Sequence, residues 1–306
     1  MRDLWGALAV AAVLAGCLGS SADAPMSVTV VVTRDFGQTL LLEREIAIFG
    51  GASVIEALQA VATVERSYGG GFVQAIDGVG SGFGRGERLD WFYYVNGLHA
   101  NVGAAVLELR DGDAVQWDYH SWEYSLIFPA FTGAFPRPFV QGPVRLPVEI
   151  GHAAGLAEQA AALADALRQA GTRARARPLA ELAADPVARS GDAHLILLGS
   201  FADPLISELG APHASLGLFA RAHEAGVELL DARGRPHRVT AGAVVQTTQN
   251  PWADGGVGAM RAAVLLIVGP DPDAVRAAAT VLSDAPERLR HRHSVVLEGD
   301  SVEALP

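Results

Sequence analysis

The residues with the most chemistry to offer lie between positions 91 and 124, a stretch holding three of the five tryptophans and four of the five tyrosines. Trp91, Tyr93, Tyr94, Trp117, Tyr119, Trp122 and Tyr124 offer flat apolar contact, and Asn96 and Asn101 offer amide hydrogen bonds. His99 and His120 add imidazoles, which in the neutral form are good transition-metal ligands. A plainer account competes residue by residue. Trp91 and Trp117 read as core, Asn96 as turn chemistry ahead of Gly97, and both histidines as solvated side chains. His120, Trp122 and Tyr124 stand apart because they are expected past the last strand of the stretch, where packing gives less reason for aromatics. An exposed cluster there would mark a binding surface. Asp111, Asp113, Asp118 and Glu123 lack the spacing of a calcium loop and read as turn and solvated carboxylates.

Other chemistries find little support. Neither a Gly-x-Ser-x-Gly elbow nor a His-Glu-x-x-His pair occurs. Ser200, Asp203 and His213 are near in sequence, but Asp203 before Pro204 reads as a helix cap. Thr247, Gln249, Asn250 and Trp252 form a polar and aromatic run at a strand end, where α/β sheets often hold ligands, although a plain loop is the preferred reading. The glycine-rich run at residues 77–86 is followed by no Gly-Lys-Ser, and all 23 basic residues are arginine. With a net charge of −11 the surface repels polyanions, so no nucleic-acid partner is expected. The chain is expected not to be an enzyme.

The elements that must position residues 91–124 follow from pattern. Residues 27–33 are rich in β-branched side chains and predict a strand, and residues 39–49 predict its hairpin partner. Gly50 and Gly51 break the run. Ser53 with Glu56 forms a capping box and opens a helix whose stripe is Ile55, Leu58, Val61 and Ala62, fading near residue 67. Strands are predicted at 72–76 and 91–95, the latter ending in the Asn96-Gly97 turn. Val106, Glu108 and Arg110 alternate with Leu107 and Leu109 before Asp111-Gly112. In the next strand Val115, Trp117 and Tyr119 share one face, and Gln116, Asp118 and His120 share the other. One helix across a mixed sheet of four or five strands fits a β-grasp fold.

At this point the residues resemble a known family. Trp91, Tyr93, Val95, Asn96 and Gly97, followed by Leu109, Asp111, Gly112, Asp113, Val115, Trp117 and Tyr119, are similar to the motifs of the transcobalamin-like C-terminal domain family. The helix start at residues 51–58 fits as well, so the resemblance covers about 27–124. It implies a β-grasp module like the smaller domain of the animal cobalamin carriers, without their larger helical partner domain. It also implies cobalamin or another corrinoid as the ligand, with Trp91, Tyr93, Asn96, His99, Asn101, His120, Trp122 and Tyr124 as candidate contacts.

The remaining organisation is as follows. Residues 1–16 read as a signal peptide, and Leu14-Ala15-Gly16-Cys17 resembles the bacterial lipobox, so Cys17 is the expected lipidation site and residues 17–25 a tether. The expected location is the outer face of the cytoplasmic membrane, with the membrane itself and a vitamin transporter as partners. Residues 26–124 are the β-grasp-like α+β domain. Residues 125–147, with five prolines and four phenylalanines, predict an extended connector packed on its neighbours. Residues 148–306 alternate strands with helices and predict a three-layer α/β domain, faintly similar to surface-layer modules. The functional expectation is a lipoprotein that captures a corrinoid for uptake; the alternative is a structural or protein-interaction module of the envelope with no small ligand.

Overall fold

The computed structural model describes residues 25–67, 72–82, 86, 88–142 and 144–306. Cys17, with the cleavage site and nearly all of the tether read around it, lies outside the described residues, as do residues 83–85 of the glycine-rich run. Strands β1 (Pro25–Arg34) and β2 (Thr39–Phe49) form the expected hairpin, with one bulge after Val32. Their turn holds Asp35, Phe36 and Gly37 at φ of 56°, 59° and 81°. Helix α1 (Val54–Gln59) opens as the capping box predicts: the Glu56 carboxylate accepts from the Ser53 backbone N–H at 2.7 Å and from its hydroxyl at 2.6 Å. The helix is shorter than its pattern suggests. Val61 and Ala62 lie beyond it, and β3 (Val64–Ser67) follows, pairing with β4 (Phe72–Ile76), which pairs with β5 (Val79–Gly80).

Strands β6 (Leu89–Val95), β7 (Leu98–His99) and β8 (Ala114–Ser121) complete a five-stranded sheet of order β2-β1-β8-β6-β7. The central pair, β1 with β8, is parallel; the other pairs are antiparallel. This makes the N-terminal part an α+β arrangement. The alternation in residues 106–110 does not mark a strand. That segment instead borders the start of α1, where Val54 N–H donates to the Leu107 carbonyl and Leu109 N–H to that of Ala52. The face of the sheet toward α1 buries Val28, Val30, Val32, Trp91, Tyr93, Val115, Trp117 and Tyr119 in one cluster with Val54 and Leu58.

After a short helix α2 (Arg137–Val140) the chain builds a second, larger sheet. Its elements in order are β9 (Val148–His152), α3 (Ala157–Gln169), β10 (Ala174–Pro178), α4 (Leu179–Ala184), β11 (His194–Gly199) and α5 (Pro204–Gly210). Then come β12 (Ala220–His223), β13 (Gly226–Leu230), β14 (Pro236–Thr240), β15 (Ala243–Gln249), β16 (Ala263–Val268), α6 (Pro272–Asp284), β17 (Ser294–Glu298) and β18 (Ser301–Leu305). Strands β14 and β15, only two residues apart in the chain, thus lie in different sheets. The large sheet has the order β10-β9-β11-β16-β15-β17-β18, parallel from β10 to β16 and antiparallel beyond. Strands β12, β13 and β14 form a separate small sheet. Along β11, Ile196 and Leu198 pack with α3 and α6, whereas Leu195 and Leu197 pack with α4 and α5. The sheet is therefore covered on both faces, which is why its strands read as continuous apolar runs.

The connector is ordered by its phenylalanines. Phe128, Phe131 and Phe139 are buried. Each contributes roughly 1.5–3 kcal/mol relative to exposure. Hydrogen bonds from Thr132 to Thr247 and from Gln249 to the Pro129 carbonyl tie it to β15. The face of the first sheet turned away from α1 lies against this connector and the second sheet.

Candidate functional site

The eight candidate residues separate into five environments. Trp91 and Tyr93 belong to the core under α1. The Trp91 indole N–H donates to the Val79 carbonyl at 2.8 Å, and the Tyr93 hydroxyl donates to the Val102 carbonyl at 2.5 Å. Asn96 is buried at the turn between β6 and β7, with φ of 51°. Its amide donates to Asp113 Oδ1 at 2.7 Å and its carbonyl accepts from Ala114 N–H at 3.0 Å, so turn chemistry accounts for it. Asn101 is exposed near Gly258. Trp122 is half-buried, with the Arg88 guanidinium 5.4 Å from its ring centre.

His99, His120 and Tyr124 lie at the seam between the two sheets. His120 is not past the strand: β8 runs to Ser121, and the imidazole is buried. It is stacked between Phe36 (4.6 Å, 25°) and Phe92 (4.5 Å, 17°). Its Nδ1–H donates to Asp118 Oδ2 at 2.8 Å. His99 is largely sheltered beside Tyr94, and burial lowers its pKa to about 4. The Tyr124 hydroxyl donates to the Leu218 carbonyl at 2.9 Å, and its ring packs on Phe219. These three side chains therefore join the two parts of the chain and do not surround a concave surface with Trp122.

Asp118 organises the seam and is not the solvated carboxylate the sequence suggests. It is fully buried and accepts from Thr33 Oγ1 (2.6 Å), Phe36 N–H (3.0 Å), Gly37 N–H (2.9 Å) and His120. By fixing the turn after β1 it aims Phe36 into a ring of Phe128, Phe219 and His293. Burial lowers the pKa of His293 to about 3. Gln116, on the same face, donates to the His291 carbonyl at 2.9 Å. The signal in the sequence is the alternation of Gln116, Asp118 and His120 opposite the tryptophans. It marks a second polar face but does not say what covers it.

Gln249 spends its whole amide on assembly: Nε2 donates to the carbonyls of His99 and Pro129, both at 2.9 Å, and Oε1 accepts from Gly258 and Met260 N–H. Thr247 and Asn250 are buried as well, so this run holds the fold together at a strand end. Asp203 turns its carboxylate back to Ser200 N–H (2.8 Å) without capping α5, and His213 bonds the Ala211 carbonyl. Asp271 does cap α6, accepting from Asp273 and Ala274 N–H at 2.9 Å.

Cobalt ligation by these histidines does not fit the geometry. A metal is bound by a ring nitrogen in the plane of the imidazole, and His120 is 1% exposed with its Nδ1–H already donated to Asp118, so a corrin has no approach to its other nitrogen. Among the described residues no cluster of three or more histidine, cysteine or carboxylate side chains is placed to hold a metal ion. Three clefts open on the N-terminal part. One of about 300 Å³ lies between β1 and β8, connector residues 133–137 and residues 286–291. A second, of about 260 Å³, is lined by Asn96, Arg110, Asp113 and Gln141. The third, of about 500 Å³, is lined by Arg88, Ser121, Glu123 and Arg233.

Comparison with known proteins gives one family match: a family described as a domain of unknown function (DUF4430) matches residues 51–121. No curated protein matches the chain. Among solved structures, part of the chain is similar to haptocorrin in complex with Cbi, at 16% identity and a TM-score of 0.28, covering 32% of this chain and 26% of the haptocorrin chain. The chain therefore spans about a quarter of that protein. Part is also similar to a protein from Ruminococcus gnavus ATCC 29149 provisionally described as metal binding, at 20% identity and a TM-score of 0.25, covering 31% of this chain and 97% of that one.

Proposed function

We propose that the chain is a non-enzymatic interaction protein of the cell envelope, held outside the cytoplasmic membrane by lipid on Cys17, with a β-grasp module as its N-terminal part. The strand order β2-β1-β8-β6-β7, with a parallel central pair and one helix across it, supports the β-grasp reading. The interaction reading rests on the fate of the sheet's second face. That face is largely covered by the chain's own connector and second sheet, which leaves a planar ligand only a cleft of about 300 Å³ beside Thr29, Val31 and Gln116. The clefts left on this part measure about 260–500 Å³. Pockets of about 300–1,000 Å³ suit drug-sized ligands, and a corrinoid is larger than those. Apolar surface remains open where residues 49–55 run beside 104–109: Phe49 is 72% exposed and Val106 75%. Exposed apolar side chains of this kind are what a protein partner covers.

Corrinoid capture for an uptake system, with a vitamin transporter as partner, is the second reading. The motif resemblance at residues 91–97 and 109–119 supports it. So does the position of Trp122, between two residues that line the largest of the three clefts. One experiment separates the readings: titration of residues 18–306 with cobalamin and with cobinamide, followed by calorimetry and absorption. The interaction reading expects neither heat nor a spectral change at high micromolar ligand. Saturable binding that Trp122→Ala abolishes, with the fold intact, would replace it with capture.

A further inference from the structure

A separate cavity of about 120 Å³ lies where the connector meets the edge of the large sheet. Its polar lining is Arg145, Arg173, Thr172 and His194 with Gln141 at its margin, its apolar lining includes Phe139 and Leu146, and no carboxylate side chain borders it. That is unusual in a chain with 34 acidic and 23 basic residues. Twelve arginines elsewhere are paired with carboxylates. Arg145 and Arg173 have no side-chain hydrogen bond or ion pair among the described residues.

His194 supplies the third group. It is 3% exposed, packed beside Phe139, and its Nδ1 accepts from Ala263 N–H at 2.9 Å. An imidazole nitrogen that accepts carries no proton, so the proton sits on Nε2, the edge left to face the cavity. Burial lowers the pKa of this ring to about 4, so the neutral tautomer holds at ordinary pH. The groups in place are thus two guanidinium forks and one fixed N–H donor. A space of this size suits a small head group and not a nucleotide or a corrinoid. Gln141 is already engaged, its amide with the Gly112 carbonyl and Arg137. Arg145 also borders the neighbouring cleft, where Asp111 and Asp113 are held by backbone N–H groups of Ser27 and Arg110.

We propose that this cavity binds a small oxoanion head group, carboxylate, sulfate or phosphate, held by Arg145, Arg173 and the Nε2–H of His194. Guanidinium forks match such oxygens in pairs, and the apolar wall would take the carbon attached to a carboxylate. The proposal is independent of the interaction reading and of corrinoid capture, and neither titration above bears on it. The test is an NMR titration that follows the His194 Nε2–H signal of residues 18–306. Sodium phosphate, sulfate and succinate are added in turn, with sodium chloride at matched ionic strength as the control. Saturable displacement of the signal by at least one of the three, and not by chloride, is expected. A stronger response to succinate assigns an organic carboxylate; a stronger response to phosphate or sulfate assigns an inorganic anion. Arg145→Gln and Arg173→Gln, both at exposed positions, should each weaken the response about ten-fold or more, as loss of a charge-assisted bond does. No saturable displacement with any of the three overturns the proposal. So does a displacement that chloride reproduces or that both arginine variants retain.

Discussion

Replacing Asp118 tests the account of the seam most directly. In Asp118→Ala four donors lose their acceptor at once: the Thr33 hydroxyl, the backbone N–H groups of Phe36 and Gly37, and His120 Nδ1. An unpaired buried donor costs about 1–3 kcal/mol, so four would exceed 4 kcal/mol if nothing relaxed. The turn can open and let water reach the two backbone groups, which leaves a net loss of about 3–5 kcal/mol, the range for removing one partner of a buried charged pair. Whole-domain stabilities are about 5–15 kcal/mol, so the variant should be severely weakened. Asp118→Asn keeps the shape but turns an amide toward some of the donors, and should fall between it and the natural chain. The assay is guanidinium unfolding combined with hydrogen exchange. The amide protons of Phe36 and Gly37 should lose protection before those of the α1 core. Phe36→Ala opens a cavity among aromatic rings and should cost about 3–5 kcal/mol alone. Its effect combined with Asp118→Ala should be clearly less than the sum, because both changes release the same contact. A loss below about 1 kcal/mol in Asp118→Ala, with the Phe36 and Gly37 amides still protected, would refute the reasoning.

Other expectations follow from the same structure. His194 and His293 are buried and His99 is largely sheltered, and burial lowers their pKa values to about 4, 3 and 4 in that order. The unfolded chain takes up protons on them below about pH 6.5 while the folded chain does not, so stability should fall as pH drops from about 6.5 toward 4, with a slope of up to about 1.4 kcal/mol per pH unit for each histidine. Denaturant midpoints measured across that range should flatten in slope for His99→Gln; an unchanged slope would remove His99 from the account. Gly37→Ala places a Cβ 1.8 Å from the His291 carbonyl oxygen at φ of 81°, so it should destabilise by more than the ~1 kcal/mol of an ordinary Gly-to-Ala strain, read as a lowered melting temperature. Trp122→Ala removes the Arg88 cation–π contact and the apolar area of a half-buried indole, and should cost about 1–3 kcal/mol, read as a lowered denaturant midpoint. Cys17→Ser should move the protein from the membrane fraction to the soluble fraction after cell lysis; retention in the membrane pellet would sink the lipid-anchor proposal.

Much of the local structure was legible because it depends on neighbours in the chain. The β-branched run at 27–33, the Ser53 and Glu56 box and the Asn96-Gly97 turn are set by residues within a few positions of one another. The alternation in β8 was legible too, and it separates Trp117 from Asp118 correctly. What covers the Asp118 face was not, because Phe36 is 82 positions away from Asp118 and His293 lies in another sheet. The alternation at 106–110 misleads for a related reason: a period of two extends into a strand only where a partner stays alongside, and here the partner gives a single antiparallel bridge, Ser53 to Glu108, before it turns into α1. The place of the three seam candidates, against another part of the same chain, was hidden for the same cause. Aromatic and imidazole side chains look alike in sequence whether they await a ligand or another part of the same chain.

The parallel pairing of β1 with β8, and the insertion of Phe36 beside His293, also set an order of events. The first strand made by the ribosome has to wait for residues 114–121 before its sheet can close, and Phe36 has to wait until position 293 before its ring has all its neighbours. A fragment ending at residue 124 would contain every strand of the first sheet and still show Phe36, Phe92, Tyr94 and His120 to water. The N-terminal part should therefore resist excision. Cut out alone, it should collect in aggregates, and adding residues 125–306 as a separate chain during refolding should rescue its solubility.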